Sequence, residues 1–378
     1  MVYIGRRSTP LIDTTTMKIL ALEPYYGGSH KAFLDSWQAH SRYEWTNLTL
    51  APYKWQWRMR HAALTFADDV NERVRQGESW DRVFCSDMLN LAEFRGLAPA
   101  IAHLPTVAYF HENQLTYPLR AGIMRDNQPV MTNLTTALAA DQVWFNSQYH
   151  LDAFLAALRV WLKRMPDHQP FAAIDNIRER AEIRPPGIDA FPERQPREPG
   201  PMRILWAARW EHDKDPDAFF EAIGALRSGG VDFRISVIGE QFRSGPEVFE
   251  TAKIEFADHI DRWGFQPSRD AYRQALQEAD VFVSTAQHEF FGISAVEAAA
   301  AGAFVLLPRR LAYPEVFAGG EAAGFFYGDT AAELATALAG MPERLADKGD
   351  LRPPDNCGVR IASQYLWPTL GPQFDGRL

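Results

Sequence analysis

Cysteine is nearly missing from this chain. There are two in 378 residues, Cys85 and Cys357, far apart in sequence. Two such thiols cannot staple a small secreted scaffold, and they read as free thiols of a reducing compartment, which puts the chain in the cytoplasm. No C-x2-C pair and no histidine cluster is present, so the common zinc sites are excluded. No run approaches the roughly 18–20 apolar residues that cross a bilayer, so no stable membrane insertion is expected. Met1 to Thr16 has no apolar core of the kind a signal peptide carries. That stretch is short, polar and interrupted by proline, and Met17-Lys18-Ile19-Leu20-Ala21-Leu22 reads as a natural start. Residues 1–16 are therefore expected to be a disordered extension. An excess of positive charge is missing too. The net charge is −9, so any contact with RNA must come from a local basic face. Gly27-Gly28 lacks the G-x-G-x-x-G spacing, which argues against a dinucleotide-dependent dehydrogenase.

What the chain does have is length for two cores and a regular alternation of strand-like and helix-like runs. Strands are expected at Ile19–Leu22, 45–50, Arg82–Cys85, Thr106–Phe110, Gln142–Asn146 and Glu182–Arg184. A second series follows at Arg203–Ala207, Phe233–Gly239, His259–Trp263, Val281–Ser284 and Phe304–Leu307. Strands alternating with helices imply parallel sheets flanked by helices, an α/β fold. Pro185-Pro186-Gly187 and the tract from Pro192 to Pro201 separate the two series and read as a stiff polar linker. The division that follows is a first domain over 17–190, a linker over 191–202, a second domain over 203–345 and a tail over 346–378. A tail helix crossing back to the first domain would have to accommodate Pro368 and Gly371.

One stretch carries most of the chemistry. In His288-Glu289-Phe290-Phe291-Gly292-Ile293-Ser294-Ala295-Val296-Glu297 two carboxylates stand either side of seven residues. Val281–Ser284 before it reads as a buried strand, and Ala295 to Ala303 reads as a packed helix closed by Gly302. The Phe291-Gly292-Ile293 loop offers backbone N–H groups at a helix start, which suits a phosphate. Glu297 suits a ribose diol and Glu289 a sugar. An isolated E-x7-E is mostly a solvated helix start, but strand, polar loop and helix together form the nucleotide site of α/β folds. About eighty residues earlier, Arg209 and Lys214 fall in the loop between the strand Arg203–Ala207 and a helix starting near Pro216. Two cations beside a helix start suit a diphosphate.

The pair R-x4-K and E-x7-E, in this order, resembles the retaining glycosyltransferases of the GT-B fold, whose two Rossmann-like domains face each other across a cleft. The first half resembles the tRNA-queuosine alpha-mannosyltransferase family at Tyr25-Tyr26-Gly27-Gly28-Ser29-His30, Lys54-Trp55-Gln56-Trp57-Arg58-Met59-Arg60, Ser86-Asp87-Met88 and Tyr109-Phe110-His111-Glu112-Asn113-Gln114. The likeness runs from about Met17 to about Phe317. It implies a nucleotide sugar, GDP-mannose, as donor and queuosine in tRNA as acceptor, with no cofactor and no metal. It also implies the roles. Arg209 and Lys214 stabilise the leaving diphosphate, which the Gly27-Gly28 turn approaches from the other side. Glu289 positions the sugar, His111 contacts it, and Glu297 holds the ribose.

Two further segments bear on the acceptor. Along Lys54–Arg60, Trp55, Trp57 and Met59 share one parity and Lys54, Arg58 and Arg60 the other, so a strand would have an apolar and a basic face. Basic groups beside aromatic ones hold phosphates and stack bases, and the competing reading is an edge strand with buried tryptophans. Glu112, Asn113 and Gln114 cluster polar groups of the kind sugar hydroxyls need, and Asn113 is placed at the acceptor. Phe154, Leu155, Leu158, Trp161, Leu162 and Met165 form an apolar helical face, with Arg159, Lys163 and Arg164 outside it. Core packing gives that pattern more often than a membrane surface does. Two other functions stay open on sequence alone: a hexosyltransferase for a lipid or polysaccharide acceptor, and an inactive protein that binds a nucleotide sugar or RNA. The intact R-x4-K and E-x7-E argue against the second.

Overall fold

A computed structural model of the chain describes residues 16–118, 124–241, 245–318, 320–352 and 356–378. The expected extension 1–16 lies, but for its last residue, outside the described residues. The first sheet holds β1 (Lys18–Glu23), β2 (Glu44–Thr49), β3 (Arg82–Ser86), β4 (Thr106–Phe110), β5 (Gln142–Phe145) and β6 (Ala181–Ile183). The second holds β7 (Met202–Ala207), β8 (Phe233–Ile238), β9 (Ile260–Gly264), β10 (Val281–Val283), β11 (Phe304–Pro308) and β12 (Phe326–Tyr327). Every pairing is parallel, in the orders β2-β1-β3-β4-β5-β6 and β12-β11-β10-β7-β8-β9. The strand runs read from sequence match these elements within a residue or two, except β12, whose two residues carry no periodic signal.

Both orders reverse direction once, between β1 and β3 and between β7 and β10. Ligands of open parallel sheets bind in the crevice outside the carboxyl ends of strands at such a reversal. The loops there are Pro24–Gly27 and Asp87–Asn90 in the first domain, and Ala208–Glu211 and Ser284–Gly292 in the second. These loops face one cleft of about 570 Å³, lined by residues of both domains.

The Lys54–Arg60 segment is not a strand. It opens the helix Trp55–Arg75, with Lys54 as its left-handed cap at φ 51°. The helical stripe Met59, Ala62, Ala63, Phe66, Ala67 and Val70 is buried and outweighs a parity pattern only three residues deep. The Gln148–Leu162 helix buries Phe154, Leu155, Leu158, Trp161 and Leu162 in the first core, as core packing requires. No helix among the described residues is long and apolar enough to cross a membrane.

The second core extends past residue 345, taking in Leu351, Cys357, Ile361 and Ala362. The chain then returns to the first domain as the helix Trp367–Asp375. Pro368 sits in its first turn, where the missing N–H costs nothing. Gly371 is required by a close crossing, since a Cβ there would lie 2.7 Å from His40 Cβ. Asp375 accepts from Trp37 Nε1 at 3.0 Å, Ser41 Oγ at 2.9 Å and the Arg42 amide at 2.8 Å. Trp367 is 1% exposed among Phe33, Tyr109 and Phe374. Trp367→Ala should therefore cost about 3–5 kcal/mol of stability, the range for emptying a large aromatic site. Urea unfolding checks this, and a cost under about 1 kcal/mol would mean that the returning helix does not brace the first domain.

Candidate active site

The second domain's half of the site is built on two loops. After β7 the chain makes a short helical turn, His212–Lys214, which buries Lys214 against the loop after β10. Lys214 Nζ donates to the His288 carbonyl at 2.7 Å and lies 3.3 Å from both Glu289 Oε2 and Asp213 Oδ2. Burial works against the Glu289 charge. The Lys214 ammonium, a weaker push from His288 and the Phe291 amide overcome it and hold the carboxyl below its usual range. Glu289 is thus an ionised acceptor, fixed in place, with part of its side chain open to the cleft. His288 beside it is driven down to about 4 by burial and by Lys214, so it is neutral at physiological pH.

Gly292 caps the Ile293–Ala300 helix at φ 88°. A Cβ there would lie 2.5 Å from Tyr313 Cε1, and Tyr313 is pinned by Ser284 Oγ at 2.7 Å. Glycine is thus what lets the helix start face the cleft, where Ile293 and Ser294 line the wall. Phe291, expected at the donor, turns its ring into the second core against Tyr365 and leaves only backbone to that loop. Glu297 lies a turn further on and accepts from Tyr272 OH at 2.7 Å. Burial raises its pKa, and the Tyr272 hydroxyl and the charges of Arg269 and Arg273 oppose the rise.

Arg209 reaches into the cleft with 43% of its side chain exposed. Its guanidinium meets Tyr117 OH at 3.3 Å and Glu211 Oε2 at 3.4 Å, and Tyr117 OH donates to Glu211 at 3.1 Å. Desolvation works against its charge, but Tyr117, Glu211, Glu112 and Asp213 keep it firmly protonated. Tyr117 belongs to the first domain, so this contact spans the cleft. A second bridge lies deeper. Ser147 Oγ donates to the Phe290 carbonyl at 2.5 Å, and His150 stacks on the Phe290 ring at 3.8 Å. Glu315 accepts from the amides of Gln148 and Tyr149 at 2.7 and 2.9 Å, placing a carboxylate on a helix N-terminus.

The first domain contributes Gly27 and Gly28, where the Gly28–Ala39 helix opens on the cleft, and His111 at the carboxyl end of β4. His111 is held through its backbone. Its amide donates to Asp87 Oδ1 at 2.9 Å and its carbonyl accepts from Asn146 Nδ2 at 2.9 Å. Burial and the nearby charges of His30 and His150 push its imidazole well below the ordinary value, leaving it neutral. The His30 ring packs at 4.0 Å from the His111 ring, and His30 Nδ1 lies 3.2 Å from Glu23 Oε2. Glu23, His30 and His111 each present one potential ligand atom within 4.8 Å of one another. The Glu23 carboxylate accepts from the Tyr25 amide and Ser86 Oγ through Oε1 and meets His30 through Oε2.

The segments expected at the acceptor divide. Trp55 lines the cleft, while Trp57 stands outside it, 58% exposed, with its ring 5.1 Å from the ring of His61. Lys54 is exposed, Arg58 bends back to the Ala51 carbonyl at 3.0 Å, and Arg60 pairs with Asp126 at 2.9 Å. Helical geometry turns Arg58 and Arg60 to different sides, so the three cations share no face. Asn113 is fully buried, and its Oδ1 accepts from the Leu115 and Thr116 amides and Thr116 Oγ1. Asn113 therefore shapes the loop through its Oδ1. Tyr117, Glu211 and Tyr272 escaped the sequence reading, and none of the three carried a motif signal, whereas His30 stood beside the glycine pair in a motif already noted.

The buried charges of the first domain predict a pH response. Burial lowers the His30 pKa and Glu23 more than reverses this, raising it from 6.5 to about 9. Its stabilisation is complete below pH 6.5 and is lost as pH rises through 9. Burial raises Asp87 from 3.8 to about 8, so ionising it also destabilises the fold as pH climbs to that value. The melting temperature should fall between pH 6.5 and 9, and His30→Gln should flatten the upper part of that decline. Identical slopes for variant and wild type would place the His30 charge outside the energetics.

With this geometry in view, comparison with known proteins is direct. The tRNA-queuosine alpha-mannosyltransferase N-terminal family matches residues 18–188, and the glycosyl transferases group 1 family matches residues 188–343. A tRNA-queuosine alpha-mannosyltransferase of Drosophila melanogaster is 34% identical over 315 residues, covering 79% of this chain and 81% of that protein. A GDP-mannose-dependent alpha-(1-6)-phosphatidylinositol dimannoside mannosyltransferase of Mycobacterium tuberculosis is 30% identical over 118 residues, covering 31% of this chain and 30% of its own. Among solved structures, Anabaena HepE in complex with UDP and glucose superposes with a TM-score of 0.64 at 16% identity, covering 96% of this chain and 99% of that one. The sucrose-phosphate synthase of Thermosynechococcus elongatus gives 0.66 at 15% identity, covering 96% and 98%. The fold is GT-B, and the chain belongs to the tRNA-queuosine alpha-mannosyltransferase family of glycosyltransferases.

Proposed function

We propose that this protein transfers mannose from GDP-mannose to queuosine in tRNA with retention of configuration. The observation that carries this reading is the convergence of Arg209, Lys214 and Glu289 on one wall of the cleft with Gly27, Gly28 and His111 on the other. The similar Drosophila protein supports the acceptor, and the mycobacterial relative supports GDP-mannose. The diphosphate lies between Arg209 and the glycine turn and displaces Glu211 from the guanidinium. The sugar lies between Glu289 and neutral His111. An acceptor hydroxyl attacks the anomeric carbon on the face the diphosphate leaves. The new C–O bond forms as the old one breaks, and the hydroxyl proton passes to a diphosphate oxygen. Arg209 and the Lys214 ammonium act through charge that is already in place when the leaving group becomes anionic. Neither requires a bound metal.

The deciding experiment incubates the protein with a panel of nucleotide sugars and queuosine-containing tRNA, then analyses the nucleosides by mass. GDP-mannose should give hexosylated queuosine. Transfer to a lipid acceptor with none to tRNA would overturn the reading.

Arg209→Ala should lower kcat by roughly a hundredfold, about 3 kcal/mol in the barrier, the scale for one preorganised electrostatic group. The fold should survive, because the side chain is largely in the open cleft. Steady-state rates beside a thermal melt check both, and wild-type turnover would remove Arg209 from the mechanism.

The two glutamates should fail differently. Glu297→Ala should weaken binding of nucleoside diphosphate, measured calorimetrically. Glu289→Ala should mainly reduce turnover and leave diphosphate affinity close to normal. Equal losses in diphosphate affinity would contradict the split.

A further inference from the structure

The cations of the Gln148–Leu162 helix have no part in the site so far. Arg159, Lys163 and Arg164 stand exposed at its far end. Among the described residues, no carboxylate pairs with them or with Lys54. The helix's own acid, Asp152, is taken by Arg178 at 3.2 Å. The apolar face of this helix is buried in the first core, so it has no wedge to insert into a bilayer. Its cations are therefore suited to a ligand recognised through charge alone.

Hydrogen bonds tie this end of the helix to the cleft. Trp161 Nε1 donates to Asn127 Oδ1 at 3.0 Å, which brings the cationic end against the start of the Asn127–Ala139 helix. The preceding residue, Asp126, pairs with Arg60 at 2.9 Å. Arg125 before it donates to the carbonyls of Gln114 and Tyr117, and both of those residues line the cleft. Arg159, Lys163 and Arg164 are thus linked to the cleft wall through Trp161, Asn127 and Arg125, with exposed Lys54 and Asp126-paired Arg60 on the neighbouring helix. The helix is 15 residues long, so its cationic end stands roughly 20 Å, at 1.5 Å per residue, from its first turn beside the Ser147–Phe290 bridge. In a chain of net charge −9, such a track is the local basic face that a tRNA acceptor demands.

We infer that Arg159, Lys163 and Arg164 bind phosphates of the tRNA on one side of the queuosine and so seat that nucleotide over the cleft. This rests on the tRNA acceptor proposed above. Phosphate contacts position a nucleic acid without reading its sequence, so the track sets affinity and orientation and leaves the chemistry alone.

The test is the triple variant Arg159→Gln, Lys163→Gln, Arg164→Gln. The KM for queuosine-containing tRNA should rise at least tenfold with kcat nearly unchanged. The slope of log affinity against log salt should flatten by about 2 to 3, the scale for losing three phosphate contacts. Turnover of the free queuosine nucleoside and hydrolysis of the donor should stay as in the wild type. Binding of tRNA is measured separately by fluorescence anisotropy, and binding to anionic phospholipid vesicles by sedimentation. A variant that binds tRNA like the wild type would overturn the track, as would vesicle binding that depends on these three residues while tRNA affinity does not. Equal loss of nucleoside turnover would show a structural role and overturn it too. Failure of the acceptor reading looks different: tRNA would bind through the track and queuosine would receive no hexose.

Discussion

Lys214 is the group on which the second domain's side of the cleft depends. Its ammonium sits in a largely dry pocket between the Glu289 and Asp213 carboxylates and the His288 carbonyl. Breaking a buried pair by removing one partner leaves an uncompensated charge, which costs more than the pair contributes. The loop after β7 and the loop after β10 are therefore locked to each other. The same ammonium keeps Glu289 ionised and adds to the burial that keeps His288 neutral. The site is consequently charged and ordered before any ligand arrives, which is the condition for electrostatic catalysis without reorganisation.

The first domain is bound to this arrangement by contacts that end on the same loop. Ser147 and His150 both hold Phe290, the residue after Glu289. Tyr117 meets Arg209 from across the cleft. Glu211 beside it occupies the guanidinium that a diphosphate would need. A ligand must exchange one anionic partner for another, at little electrostatic cost. The returning Trp367–Asp375 helix closes the frame behind the cleft, anchored through the Asp375 carboxylate on Trp37, Ser41 and Arg42 and through the Asp375 carbonyl on Tyr43 OH.

Much of this was legible in the sequence. Strand-forming runs and the proline linker located eleven of the twelve strands, because parallel strands are short apolar runs bounded by turns. R-x4-K and E-x7-E pointed to the cleft loops of the second domain because both motifs sit at strand ends. Lys54–Arg60 misled because three alternating residues mimic a strand, while the helical stripe that decides the matter begins only at Met59. The burial of Asn113 was not legible, because an amide in a polar cluster can serve a turn or a ligand and only the folded loop shows the turn. Tyr117 and Glu211 were invisible because their meaning arises across two domains, from residues 94 positions apart.

The most direct measurement of the central claim is a crystal structure with GDP-mannose, in which one donor spans both walls of the cleft. The diphosphate should lie between Arg209 and Gly27-Gly28, with Glu211 released from the guanidinium. The sugar should touch Glu289 and His111, and Lys214 should keep its contact with Glu289. A donor bound wholly on the second domain, with Glu211 still on Arg209 and His111 facing empty solvent, would contradict it.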